Sequence, residues 1–576
     1  MNSPALPTVP TLPGTPARPA PVRRSRDDWL LLGLLLGFGL FFAITVVLPV
    51  ATIFWRSLHD AKGVFIGLAQ YQAYFASPKL LQSLLNSLLV ASLTTVLVVV
   101  LGFVYAYALT RSCMAGRGFF KAMAMVPLLT PGLLKAIALV YWFGNQGLLK
   151  GALLGQPLYG PVGIVMASVL WTLPHAIMIL SAALLLSDAR LVEAAQSLKA
   201  GRVRIFFVVT LPAVRYGLMA TALFVFVGVL TDFGIPKVIG GNYSVLATDI
   251  YKEVVGQQNF GMGAVVSMVL MIPALLAFAL DRWVSSRRQS SFGARSVAAA
   301  PQPSPAFDRA MFVYCAAVTV VMLAVIGMGQ FAALVKFWPY NLSLTLAHYQ
   351  FDMEGVGWEN FRNSLMLAFW VATIGTVATF LSAYLVEKPR SHRTARQVLQ
   401  ALALLPMAIP GLVLGLGFLL VINQPRSPLE GLYGTLAILV LATLTHYYTV
   451  THLTSLTALK QIDREFESVA LSLKVPLTRF FFKVTVPMCA PALVEIWSYL
   501  FLNAMTSVST VVFLYGIHTK LASLAVVHMD EAGRLASAAA MAMLIVYACV
   551  VVRLLQMLVS RFLLRRLQAW RLPAQP

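Results

Sequence analysis

Twelve apolar runs, each about 20 residues or longer, alternate with short polar loops along this 576-residue chain. They lie near residues 29–55, 84–110, 119–143, 161–186, 214–236, 261–281, 311–335, 364–386, 398–422, 431–457, 488–514 and 535–560. Lipid offers a backbone no hydrogen bonds, so a segment that crosses it must satisfy its own N–H and C=O groups, as a helix does. Composition agrees: 59% of residues are hydrophobic and 11% charged, against roughly 45–50% and roughly 25% in soluble domains. The expected fold is an all-α integral membrane protein of twelve transmembrane helices. The net charge of +22 is dispersed over many short loops, which fits basic loops on the cytoplasmic side and not a nucleic-acid surface gathered on one face.

Between runs six and seven lies the polar stretch "RRQSSFGARSVAAAPQPSPAFDR". The chain therefore divides into a Pro-rich N-terminal tail at 1–28, a first membrane domain at 29–283, a linker at 284–310, a second membrane domain at 311–566 and a C-terminal tail at 567–576. The N-terminal tail is expected to be disordered, and the first run is too long for a signal-peptide core. With the N-terminus inside, the seven cytoplasmic segments hold 31 Lys and Arg and the six outer loops hold 11. Both termini are expected in the cytoplasm. Six spans per half insert both halves the same way up, as a parallel repeat.

Landmarks recur at a nearly constant offset. Asn86-Ser87-Leu88 returns as Asn363-Ser364-Leu365, and "PLLTPG" at Pro127–Gly132 returns as "PMAIPG" at Pro406–Gly411. The strongest repeat lies in the loops between spans four and five of each half. "SLKAGRVRIFFVVTLP", Ser197 to Pro212, returns as "SLKVPLTRFFFKVTVP", Ser472 to Pro487, with nine of sixteen positions identical. Glu193 to Lys199 reads as helix, Ala194 and Ala195 give it a small face, and Gly201 allows a break. Ile205, Phe206, Phe207 and Val209 are then expected to lie against the membrane domain. A short helix held in water between two breaks, present twice, suits docking with a partner.

These residues resemble the signature of binding-protein-dependent ABC importer permeases: Glu-Ala-Ala, a Gly at the seventh position and Leu-Pro at the loop's end. The resemblance places Glu193, Ala194, Ala195, Leu211 and Pro212 on the signature, with Ala200 and Gly201 between them. Lys199 stands where the family has Gly. In the second copy Ser468, Val469 and Ala470 take the Glu-Ala-Ala places, Glu467 comes one residue early, Lys474 replaces the Gly, and Val486-Pro487 closes the loop. In that family the loop is the coupling helix that sits in a groove of the ATPase. The resemblance implies the MetI-like type I importer fold, built from two parallel six-helix repeats. It also implies a separate ATP-binding subunit, expected as a homodimer, a periplasmic solute-binding protein and a place in the bacterial inner membrane. It extends to fused permeases of the ferric-iron and 2-aminoethylphosphonate type through "TDFGIPKVIGGNYSVLATDIY" and "STVVFLYGIHTKLASLAVV".

No GxxxxGK[ST] occurs, so the chain lacks the loop that would cradle ATP phosphates. No HExxH, GxSxG or carboxylate cluster supports a membrane enzyme, and four scattered cysteines, Cys113, Cys315, Cys489 and Cys549, suggest neither disulfides nor zinc. No catalytic residue, metal or cofactor is expected. A secondary transporter could also hold six plus six parallel spans, but membrane carboxylates for ion coupling are scarce. Polar residues at membrane depth are candidates for the translocation pathway: Lys135, His175, Asp232, His446 and Glu495. The pairs Pro131-Gly132 and Pro410-Gly411 are expected to bend span three of each half and to wall the pore. A positively charged Lys135 suits an anionic solute, which gives the expectation of 2-aminoethylphosphonate before ferric iron.

Overall fold

The structure is a computed structural model. It describes residues 26–567 apart from 187–188, 290–300, 302, 352–354, 390, 425–426 and 428–429. The expected N-terminal tail, most of the linker and the C-terminal tail lie outside the described residues.

Among the described residues, ten helices are long and apolar enough to cross a membrane: Asp27–Ser57, Pro78–Arg111, Pro161–Leu185, Arg202–Thr231, Phe260–Val284, Pro305–Leu334, Trp358–Glu387, Leu436–Lys460, Leu477–Thr506 and Leu535–Leu563. We number them spans 1, 2, 4, 5, 6, 7, 8, 10, 11 and 12. The two remaining runs are broken. Arg117–Leu129 meets Gly132–Phe143 at 100°, and Arg393–Ala408 meets Gly411–Ile422 at 108°. Spans 3 and 9 are therefore elbows. The break follows from Pro131 and Pro410: proline lacks the N–H that a helix needs and forces its predecessor out of the helical region. Thr130 and Ile409 are accordingly extended, at ψ 133 and ψ 120. A short antiparallel hairpin, Val335–Phe337 with Asn341–Leu344, follows span 7 and is a small departure from the all-α expectation.

Three spans carry a widened π turn: Ala43–Val47, Phe206–Thr210 and Phe481–Thr485. Each runs directly into Leu48-Pro49, Leu211-Pro212 or Val486-Pro487. A proline inside a helix removes one ladder bond and crowds the carbonyl four residues back. The π turn takes up that misfit without stopping the helix. Spans 5 and 11 consequently begin earlier than their apolar runs, at Arg202 and Leu477.

The first span of each half packs on the last span of its own half and also reaches across to the other half. Span 1 packs on Gly411–Ile422 of the second half, and span 7 packs on Gly132–Phe143 of the first. Gly417 makes the first contact possible: a Cβ there would stand 2.8 Å from the Pro49 Cβ. Polar bonds fasten span 7 to the first half. Tyr314 donates to the Leu101 carbonyl at 2.8 Å, Trp142 donates to the Ala324 carbonyl at 3.3 Å, and Tyr105 shares a 3.0 Å bond with Thr319. The crossing reaches the loops. Asp27, at the start of span 1, accepts from the Leu477 N–H at 3.4 Å, and Arg202 donates to Ser304, just before span 7, at 2.7 Å.

The repeated Asn-Ser pair also has a physical task. Asn86 donates to the Ser244 carbonyl, and Asn363 donates to the carbonyls of His518 and Lys520. Ser87 accepts from the Leu246 N–H and Ser364 from the Ala522 N–H, each at 2.8 Å. These are first-turn amides of the short helices Leu246–Tyr251 and Ala522–Glu531, which have no partner within their own helix. Each half thus uses span 2 or 8 to cap the loop helix before its last span.

Candidate functional site

At one end of the molecule stand two nine-residue helices, Ala189–Ser197 and Arg464–Ser472. Both stop in the same way. Lys199 and Lys474 take left-handed conformations, at φ 56 and φ 54. The N–H groups of Ala200 and Val475 then reach back to the carbonyls of Ala195 and Ala470 at 3.0 and 2.9 Å. This is a Schellman stop, and a glycine normally occupies its left-handed place. The break therefore falls at Lys199, not at Gly201 as the sequence suggested. Gly201 is extended at φ -66, and its counterpart is Pro476 at φ -62. Helix resumes at Arg202 and continues through the π turn into span 5.

The placement of the signature residues is the same in both halves. Ala195 and Ala470 are half-buried, whereas Glu193, Ala194, Ser468 and Val469 are exposed. Leu211 and Pro212, like Val486 and Pro487, open the regular helix of spans 5 and 11. Of the apolar residues expected to lie inward, Ile205 is buried and Phe206 packs on Phe103 and Tyr107, but Phe207 points outward. The composition of the loops hid a further feature. Leu198 is 83% exposed and Leu473 70% exposed, and Leu191 and Phe466 are also exposed. These two pairs sit 275 residues apart, seven residues apart within each copy. Two matching apolar edges open to solvent are the mark of an interaction surface.

The second loop helix is tied to the end of span 8 by an ion pair. Lys388, directly after span 8, forms an ion pair with Glu467; the two side chains are 6% and 19% exposed.

The polar residues of the spans divide into internal fasteners and exposed groups. Lys135 is 2% exposed and donates to the carbonyls of Pro127 and Thr130 at 3.0 and 2.8 Å. Its ammonium closes the C-terminal end of the short limb at the elbow, where unpaired carbonyls favour a cation. Asp232 caps the helix Gly234–Ile239 by accepting from the Ile235 N–H at 3.0 Å. His175 lies 5.2 Å from the Phe224 ring, and His446 lies 4.7 Å from Tyr447 and beside Gly411. The two histidines are not equivalent. Spans 4 and 10 align at an offset of 275, which pairs His175 with Val450 and Trp171 with His446. Glu495 is exposed halfway along span 11. Tyr499, Asn503 and Thr506 follow it at helical spacing, where the first half has Phe224, Gly228 and Thr231. Sequence reading missed His452. It is fully buried and bonds Ser382 at 2.9 Å; Ser382 accepts from Tyr448 at 2.6 Å, and Tyr448 packs edge-on against Phe42 of span 1.

At the end opposite the loop helices, Lys237 and Glu531 join the halves at 2.6 Å. Burial, and then the neighbouring Glu531, push the Asp530 carboxyl up to about 7. A cleft of about 560 Å³ opens there between Tyr141 and Asn145 of the first half and Lys336, His348 and Arg534 of the second.

Known proteins place this architecture. The chain is 25% identical over 528 residues to the ferric transport system permease protein FbpB of Actinobacillus pleuropneumoniae, covering 89% of this chain and 76% of that one. It is 25% identical to the putative ferric transport system permease protein FbpB 1 of Haemophilus influenzae, over 87% of this chain and 80% of the relative. It is 28% identical over 269 residues to the putative 2-aminoethylphosphonate transport system permease protein PhnU of Salmonella typhi, over 45% of this chain and 91% of that one. Residues 98–290 and 375–565 each match the same family domain, once per half. With its duplicated domain, its helical membrane fold and its paired loop helices, the chain belongs to the binding-protein-dependent transport system inner membrane components, the permeases of ABC importers.

Proposed function

We propose that the two loop helices dock in the grooves of a separate pair of ATP-binding subunits and transmit nucleotide-driven motion to spans 5 and 11. The observation that carries this reading is the matched pair of helices with identical left-handed stops, half-buried Ala195 and Ala470, and exposed Leu198 and Leu473. The continuous helix from Arg202 into span 5 supplies a stiff link from the docking surface to the membrane. The loop helices face the cytoplasm with both termini, and the cleft at the other end faces a periplasmic binding protein; the Lys and Arg asymmetry supports that orientation. Reporter fusions at Gly355 and Ser290 test it: the first reads outside and the second cytoplasm, and the reverse result refutes it.

The solute we propose is ferric iron. The two ferric relatives are fused chains matched over most of their length, and Glu495, Tyr499 and Tyr447 give spans 10 and 11 oxygen ligands of the kind a hard cation takes. The case for an anion rested on Lys135, whose ammonium is held by two backbone carbonyls. Import of 2-aminoethylphosphonate is the second reading, supported by the half-length relatives. Deleting the gene and restoring it decides between them. A growth defect confined to iron-limited medium supports iron; failure to grow on 2-aminoethylphosphonate as sole phosphorus source, with normal growth on scarce iron, transfers the assignment.

A further inference from the structure

We propose that Lys388 and Glu467 form a strut that sets the angle of the second loop helix. The proposal rests on the docking reading above. Lys388 sits at the loop end of span 8, and Glu467 is the fourth residue of the second loop helix. Both are largely removed from solvent. Burying two charges costs several kcal/mol per ion before their attraction offsets it, so such a pair adds little net stability. What it does provide is direction: the carboxylate must stay beside one fixed ammonium.

The first loop helix has no carboxylate at the equivalent place. The position equivalent to Glu467 is Val192, at the offset of 275 that aligns the two loop helices. The position equivalent to Lys388 is Arg111, which donates to the Leu184 carbonyl at the end of span 4 at 3.0 Å. Arg111 thus bonds the end of a span, and Lys388 bonds the docking helix itself. The outward chemistry differs too. Glu193 is exposed in the first helix, where the second has Ser468, and Arg190 is matched by Glu465. A symmetric ATPase pair offers the same groove twice. The contacts it can use twice are the apolar ones shared by both helices, Leu191 with Phe466 and Leu198 with Leu473. An unlike pair of helices then needs an internal device to present those shared edges at the same angle, and the strut is that device in the second half. Lys388 is a positioning residue, since it acts on the partner through Glu467.

The test measures uptake of radioactive ferric iron and, in parallel, of 2-aminoethylphosphonate by cells carrying the full chain, with its abundance in the membrane followed by immunoblot. Glu467→Gln and Lys388→Met should each lower uptake roughly tenfold at equal abundance, a factor typical of losing one interaction. Lys388→Arg should retain it. The exchanged pair Lys388→Glu with Glu467→Lys should recover uptake to within about twofold of wild type, a rescue that a merely space-filling role would not produce. Full uptake by both single variants, or an exchanged pair as inactive as the singles while Lys388→Arg is active, overturns the strut. Ala470→Arg separates the two readings. Normal uptake by that variant overturns docking itself; loss of uptake there, with Glu467→Gln unaffected, overturns the strut alone.

Discussion

At the elbow of span 3 the residue three places after the Pro-Gly pair is Lys135, and at the elbow of span 9 it is Leu414. From the limb after the first elbow the Lys135 ammonium reaches back to two carbonyls before the break. The limb after the second is apolar throughout and buried along all twelve residues, Gly411 to Ile422. The bends nonetheless differ by little, 100° against 108°. The backbone breakers set the angle, and the side chains beside them were free to diverge. The same division runs through the molecule. The Asn-Ser caps, the left-handed stops and the π turns before X-Pro are kept in both halves, because each answers a backbone hydrogen-bond demand. The charges, Glu193 against Ser468 and Val192 against Glu467, are not kept.

Seven substitutions would break or sharpen this comparison. The largest effect is expected from Ala195→Arg and Ala470→Arg, which place a long charged side chain on the half-buried face of each loop helix. Each should abolish uptake with the chain still present in the membrane; loss confined to Ala470→Arg would show that the halves contribute unequally to coupling. Next comes Gly411→Val. A Cβ at Gly411 would meet the Thr510 hydroxyl at 2.7 Å and the His446 ring at 3.1 Å, whereas one at Gly132 meets only Ile235, at 3.4 Å. Gly411→Val should cost about 3 kcal/mol, the upper part of the usual range for overpacking. Gly132→Val should cost about a third as much, read as the difference in unfolding midpoint in detergent. Equal costs would mean that the second elbow is no tighter than the first.

Lys135→Met leaves the Thr130 carbonyl without its donor, while the Pro127 carbonyl keeps the Thr130 hydroxyl at 2.8 Å, and should lower stability by about 1 kcal/mol, the low end of the cost of stranding such a group. Uptake per folded molecule should keep its KM for the solute, since the ammonium is turned to the backbone. A raised KM at unchanged abundance would put Lys135 on the solute's path. The smallest effect has the opposite sign. Lys199→Gly and Lys474→Gly remove a side chain from a left-handed conformation that costs an ordinary residue about 1 kcal/mol, and each should raise the unfolding midpoint. A lowered midpoint in either would show that the lysine side chain itself holds the loop.

Much of this was legible in the residues. The spans, the duplication, the elbows and the loop helices all announce themselves through signals a few residues long. Apolar length reports the bilayer, proline reports a missing N–H, and a matched motif reports a repeat. Other parts were not legible. His175 and His446 lie in corresponding spans yet pair with Val450 and Trp171 once the helices are aligned. His452 belongs to a closed bond with Ser382 and Tyr448, and in sequence it was one more polar residue in an apolar run.

The sequence by itself determined where the backbone is helical, where it must break and that the unit occurs twice. Only the tertiary structure decided that span 1, while packing on span 6, reaches across to Gly411–Ile422, and that span 7, while packing on span 12, reaches across to Gly132–Phe143. A helix that is apolar on every side carries no periodic stripe to name its neighbour. In lipid the choice falls to close packing, through positions such as Gly417 against Pro49 and Gly329 against Leu134, where a Cβ would approach within 2.8 Å. Such fits depend on two surfaces hundreds of residues apart in the chain meeting in space, so neither surface alone can state them.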